Sequence, residues 1–181
     1  MTNRAPVLPD DALRIARHPA GRGFRLTTQV RLPRPRSEVF AFFADAYQLE
    51  RITPSWLKFR IVWTSSPAIG AGTLIDYRLR LHGVPLRWRT RISVWEPEER
   101  FVDEQLSGPY RWWRHEHTFV ERTGFTDMTD TVDYGVPWSF LAHRLLVRRD
   151  LQRIFAFRHR EMLRLFEPSA TDVSGHAANS G

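Results

Sequence analysis

The residues with the greatest chemical potential lie in three consecutive alternating runs. In the run 111–121, Trp113, His115, His117 and Phe119 share one face, because side chains two apart on a strand project the same way. In the run 125–136, Met128, Asp130, Val132 and Tyr134 share one face. In the run 100–107, Asp103 and Gln105 fall on the same side as Phe101. Polar groups on otherwise apolar faces cost roughly 1–3 kcal/mol each when unsatisfied, so they must pair with each other, with water or with a ligand. Two compatible arrangements meet that need. One is a hydrogen-bonded network beneath a covering element. The other is the polar end of a ligand cavity. A tight turn at Thr123-Gly124 places position 117 opposite position 130, so His117 and Asp130 are expected as a cross-strand pair.

An imidazole held by a carboxylate has a fixed tautomer and a raised proton affinity, which suits a general base near neutral pH. His117 and Asp130 are therefore the catalytic candidates, with Arg158 or His115 available to stabilise an enolate. His115 and His117 also have the spacing of two metal ligands, with Asp130 or Asp103 as a third. No metal or other cofactor is expected from so short a motif. Other chemistries lack their residues. Cysteine is absent, which excludes disulfides, thiolate metal sites and a cysteine nucleophile. There is no nucleophile elbow, and Ile69-Gly70-Ala71-Gly72-Thr73 precedes a strand rather than a helix, so it is not a nucleotide loop.

The elements that must position these groups can be read from periodicity. Strands are expected at 24–32, 58–64, 73–81, 84–95, 100–107, 111–121 and 125–136. His82-Gly83 and Thr123-Gly124 mark hairpin turns. Val39, Phe40, Phe42, Phe43 and Tyr47 give a helix over 37–52, broken near Asp45–Ala46. A long helix is expected from about 138 to 166, with Leu141, Leu145, Leu151, Phe155, Met162 and Phe166 as its apolar stripe. Arg158 falls within that stripe. It can snorkel, meet Asp103 or Asp130, or hold an anionic ligand group. Short connections make neighbouring strands antiparallel, and only the long helix is large enough to cover the sheet. The fold class is α+β: a curved seven-stranded antiparallel sheet gripping a C-terminal helix. Residues 1–23 read as a disordered tail with at most one helical turn near Asp11–Arg17. Residues 24–167 are expected to form the ligand-binding domain, and 168–181 a second disordered tail.

The chain of 181 residues is 42% hydrophobic and carries a net charge of +7. Lys58 is its single lysine, so the basic residues are almost all arginine. On the strand faces assigned to solvent, Arg25 and Arg31 neighbour Asp127 and Asp133, and Arg89 and Arg91 neighbour Glu104. Cross-strand ion pairs account for this basic character without a polyanion, so no nucleic acid partner is expected. An acidic partner or membrane surface on Arg78, Arg80, Arg87 and Arg89 is the lesser alternative. No run of apolar residues is long enough to span a membrane, and the charged, proline-bearing start does not resemble a signal peptide, so a cytoplasmic protein is expected. Oligomeric state is not legible.

LPRPRSEVFAFFADAYQLERITPSW (32–56), IGAGT (69–73) and DTVDYGVP (130–137) before the long helix resemble the START/polyketide-cyclase (SRPBCC) superfamily, the helix-grip fold. TPSWLKFRI (53–61), DEQLSGPYRWWRHEHTF (103–119) and TDMTDTVDYGVP (126–137) are similar to a bacterial ligand-binding subgroup. The resemblance covers about 24–166. It implies an elongated cavity between sheet and helix, and it does not imply a metal. On that basis Tyr77, Trp88, Ile92 and Trp113 are the expected walls, and Gln105, His115, His117 and Asp130 the polar end. Asp103, Tyr134 and Arg158 complete the candidate ligand-binding set. The expected partner is a small apolar or amphipathic molecule, in a pre-formed cavity of ~300–1,000 Å³. The role would be carriage, sensing or storage. The alternative is a cyclase/aromatase- or dehydratase-type enzyme working in the same cavity.

Overall fold

The computed structural model describes residues 13–136 and 146–167. Eight strands form one antiparallel sheet: β1 (Leu13–Arg17), β2 (Phe24–Leu32), β3 (Arg60–Thr64), β4 (Leu74–Leu81), β5 (Val84–Glu96), β6 (Arg100–Ser107), β7 (Trp112–Arg122) and β8 (Phe125–Gly135). Their spatial order is β1-β2-β8-β7-β6-β5-β4-β3. The helices are α1 (Arg36–Ala44), α2 (Gln48–Arg51) and α3 (Arg148–Leu165), with a single 3₁₀ turn at Ser55–Leu57. This is the helix-grip arrangement, with eight strands where seven were expected. Leu141, Leu145 and the expected tail at 168–181 lie outside the described residues.

The extra strand comes from the stretch read as a tail, and it replaces the helical turn expected near Asp11–Arg17. Leu13 and Ile15 alternate with Arg14, and β1 pairs with the otherwise free edge of β2, Ile15 opposite Leu26. Leu13 and Ile15 also pack on a buried cluster that includes Phe24, Leu26 and Tyr134. Five residues are too short a run for alternation to be read with security. Only the edge of β2 gives this segment its partner.

The helical region breaks where expected. Asp45 is extended (φ −99°, ψ 109°). Its carboxylate accepts hydrogen bonds from the Tyr47 amide and the Gln48 side chain, both at 2.9 Å, so it ends α1 and steers the chain into α2. At the β4–β5 turn, His82 and Gly83 both have positive φ (51° and 82°), which gives the mirror-image turn that suits a two-residue hairpin.

On the outer face Arg25 pairs with Asp133 at 2.7 Å and Arg31 with Asp127 at 2.9 Å, and Arg91 reaches Glu104 at 3.5 Å. Arg89 differs from expectation. The β5–β6 register shifts between Arg89 and Thr90, which sets Arg89 against Ser107. Arg89 instead lies directly across from Asp76 and binds it through two bonds of 2.7 Å.

The inner face is mostly apolar. α3 lies over it through Leu151, Phe155, Arg158 and Met162, all buried. Leu151 and Phe155 pack with Trp113, Val132 and Tyr134. Met162 and Phe166 join Val30, Phe40, Phe43, Phe119 and Met128. Each large apolar side chain buried here contributes roughly 1.5–3 kcal/mol.

Candidate functional site

Between sheet and α3 lies a cavity of about 200 Å³. It is smaller than the expected range. Phe42, Phe43, Phe59, Phe101, Tyr110 and Phe155 all project onto it and fill much of the space beneath the helix. Tyr77, Trp88, Ile92 and Trp113 line it, as the expected apolar wall requires. Trp88 and Trp113 meet edge to face with ring centroids 5.3 Å apart. The Tyr77 hydroxyl donates to Thr90 Oγ1 at 2.7 Å, so this buried phenol is satisfied without a ligand.

Asp103, His115, His117 and Arg158 form one polar group on the wall, and Asp45, Gln48, Thr53 and Thr90 line it too. Asp130 does not line the cavity. It stands behind the two imidazoles and is 2% exposed. β7 and β8 pair with His117 directly opposite Asp130, the register expected from the turn. Asp130 Oδ1 then serves both rings. It accepts a hydrogen bond from His115 Nε2 at 2.9 Å. His117 Nδ1 lies 2.7 Å from the same oxygen but out of line for a hydrogen bond. The aligned bond therefore belongs to His115, not to His117. Asp130 Oδ2 faces Arg158 Nε at 4.0 Å. Arg158 thus faces an inward carboxylate without hydrogen-bonding it through Nε, and it also lines the cavity. Its guanidinium carbon also sits 5.7 Å from the centre of the Phe43 ring.

Burial alone would raise the Asp130 carboxyl. Arg158 and the two histidines outweigh burial and hold it well below the usual carboxylate range. Burial, and then the neighbouring His117, pushes the His115 imidazole down. Burial also acts to lower His117, but Asp130 and Asp103 overcome it and the net shift is upward. The rings are held firmly. Phe101 stacks on His117 at 4.2 Å, Phe155 lies 5.7 Å from His115, and the two imidazoles are 3.8 Å apart.

Two other expected site residues do not line the cavity. Gln105 staples the β6–β7 turn, donating to the Tyr110 carbonyl at 2.8 Å and accepting from its amide at 3.3 Å. Gln105 stands directly opposite Thr90, on the inner face, but its amide is taken up by the Tyr110 backbone rather than by the cavity. Tyr134 is fully buried in the cluster with Phe24 and Leu151 and forms no part of the wall. Residues not singled out from the sequence, among them Phe43, Thr90, Phe101 and Ile154, line the cavity too. The apolar period of 37–52 marked the inward face of α1 without showing which positions would reach a ligand. Among the described residues, the one group with the donors and spacing of a metal site is Asp103, His115 and His117, their ligand atoms within 4.8 Å of one another.

None of the curated proteins matches the chain. Many solved structures share its fold. The Zhui aromatase/cyclase of Streptomyces sp. R1128 superposes with a TM-score of 0.63 at 16% identity, over 79% of this chain and 93% of that one. Protein Ms6760 of Mycobacterium smegmatis gives 0.60 at 18% identity, over 78% and 89%. Major latex-like protein 151 of Panax ginseng gives 0.60 at 10% identity, over 80% and 97%. At these identities the likeness is one of fold. The family described as polyketide cyclase / dehydrase and lipid transport matches residues 32–156. That match spans well over half of the chain, and the protein belongs to this family within the SRPBCC superfamily.

Proposed function

We propose that the protein binds a small, largely apolar molecule bearing one polar group, with its apolar body against Tyr77, Trp88, Ile92 and Trp113. The single observation that carries this is the composition of the cavity wall. It is mostly aliphatic and aromatic; Asp103, His115, His117 and Arg158 form one polar group on it, and Asp45, Gln48, Thr53 and Thr90 are its other polar side chains. Such a wall accepts an apolar occupant at little desolvation cost and orients it through a few polar contacts. An apolar cavity of about 150 Å³ takes benzene. A space of about 200 Å³ thus suits one substituted ring or a compact two-ring body. Larger occupants require Phe42 or Phe43 to turn aside.

A cyclase- or dehydratase-type reaction in the same cavity is the second reading. It is supported by imidazoles on the wall that are oriented from behind by Asp130, and by the likeness to an aromatase/cyclase. Native mass spectrometry of freshly purified protein separates the two. A carrier or sensor holds one unaltered ligand per chain, and His117→Phe weakens its retention. An enzyme releases altered product, and His117→Phe abolishes turnover. Absence of any ligand, together with no binding of small aromatic alcohols, would overturn both.

A further inference from the structure

We propose that Asp103, His115 and His117 form a binding site for a divalent first-row transition ion, open to the cavity on one side. Asp130 sets the direction of the donors. Its Oδ1 accepts the proton of His115 Nε2, which leaves the Nδ1 lone pair of a neutral imidazole pointing the other way. There it meets Asp103 Oδ2 at 3.5 Å. His117 stands between the same two carboxylates, with Nδ1 2.7 Å from Asp130 Oδ1 but not aligned for a hydrogen bond, and Nε2 3.4 Å from Asp103 Oδ2. Two carboxylates thus bracket two imidazoles. A carboxylate oxygen facing the His115 Nδ1 lone pair is repulsive unless a cation lies between them.

The spacing favours a metal ion over a proton. N–H···O bonds run to about 3.2 Å, and both Asp103 contacts are longer. Ligands about 2.0–2.1 Å from a tetrahedral centre stand about 3.3–3.4 Å apart, which is close to both distances. The donor set of two imidazoles and one carboxylate is borderline in softness and suits zinc, iron(II) or cobalt(II) better than magnesium or calcium. Asp130 sits where a carboxylate orients ligating histidines from behind. The surroundings are pre-formed: Phe101 stacks on one ring and Phe155 edges the other. Charge also fits. Asp103 and Asp130 carry two negative charges, and Arg158, on the far oxygen of Asp130, offsets one. All three ligands line the cavity, so the remaining coordination positions face any bound molecule.

The test uses tag-free full-length protein, stripped with EDTA and dialysed against zinc or cobalt(II) at neutral pH. One zinc per chain is expected, with micromolar or tighter affinity, a rise in Tm, and the visible absorption of low-symmetry cobalt(II). Asp103→Asn, which preserves shape, and His115→Ala should each abolish stoichiometric loading. Asp130→Asn should weaken it about 10–100-fold. Less than one equivalent in the wild type, or equal loading by folded Asp103→Asn, would overturn the proposal. The wild-type stoichiometry and Tm shift decide the matter even where a variant fails to fold. The readout needs no organic ligand, so it stands or falls apart from the proposed function.

Discussion

Replacing Asp130 by Asn keeps the shape of the side chain and removes its charge. In the structure that charge is 2% exposed and serves three groups: His115 at 2.9 Å, His117 at 2.7 Å and Arg158 at 4.0 Å. The substitution would leave the buried guanidinium of Arg158 facing a neutral amide. Breaking a buried pair from one side costs about 3–5 kcal/mol. At about 2–4 °C per kcal/mol for a domain of this size, Tm should fall by about 6–20 °C. Arg158→Met alone should cost less, because Asp130 keeps both imidazoles. The double variant carries no stranded cation, so its loss should be smaller than the sum of the single losses by at least about 1 kcal/mol. Urea and thermal unfolding of the four proteins, in EDTA at pH 7, measure this cycle. Additivity within about 0.5 kcal/mol, or an Asp130→Asn variant as stable as wild type, would refute the electrostatic argument.

Removal of residues 1–17 should lower Tm by about 4–8 °C. It uncovers the β2 edge and removes the half-buried Leu13 and Ile15, together worth about 2 kcal/mol; an unchanged melt would show that β1 adds nothing. Arg87→Gln with Arg89→Gln should leave Tm nearly unchanged, since the Arg89–Asp76 pair is exposed. Neither that variant nor the wild type should bind an oligonucleotide with steep salt dependence, and a steep wild-type slope lost in the variant would contradict the assignment of this face. Burial acts to raise the Asp133 carboxyl, but the Arg25 hydrogen bond outweighs it and the net shift is down. That stability is present above the ordinary carboxylate pKa of about 4 and is lost as pH falls further. Asp133→Asn should therefore be less stable than wild type at pH 7, with the difference in Tm shrinking in acid; a gap that widens below about pH 4 would reverse the sign.

The polar centre was legible because its geometry is local to one hairpin. The Thr123-Gly124 turn, with Gly124 at φ 80°, fixes the register, and the register alone sets His117 against Asp130. Arg158 announced itself by breaking an apolar stripe. What was not legible depends on contacts between distant elements. Alternation carried Gln105 inward and its pairing with Thr90 keeps it on that face, but its amide bonds the Tyr110 backbone at the β6–β7 turn, a contact no periodicity shows. Tyr134 and Asp130 share a strand face with the site, yet neither reaches the cavity, because packing against α3 and the imidazoles decides depth. The phenylalanines of α1 that narrow the cavity needed the angle at which Asp45 sets α1 and α2 on the sheet. β1 needed the open edge of β2.

The central claim is that the space between sheet and α3 is a binding site for a small apolar body with one polar group. The most direct measurement is a titration with 2-naphthol followed through the fluorescence of Trp88 and Trp113, which line the cavity. Saturable one-to-one binding is predicted for wild type. Ile92→Trp, which puts a larger side chain into the space, should lose that binding by at least about tenfold while remaining folded. No saturable change in wild type, or equal binding by the filled variant, would contradict the account.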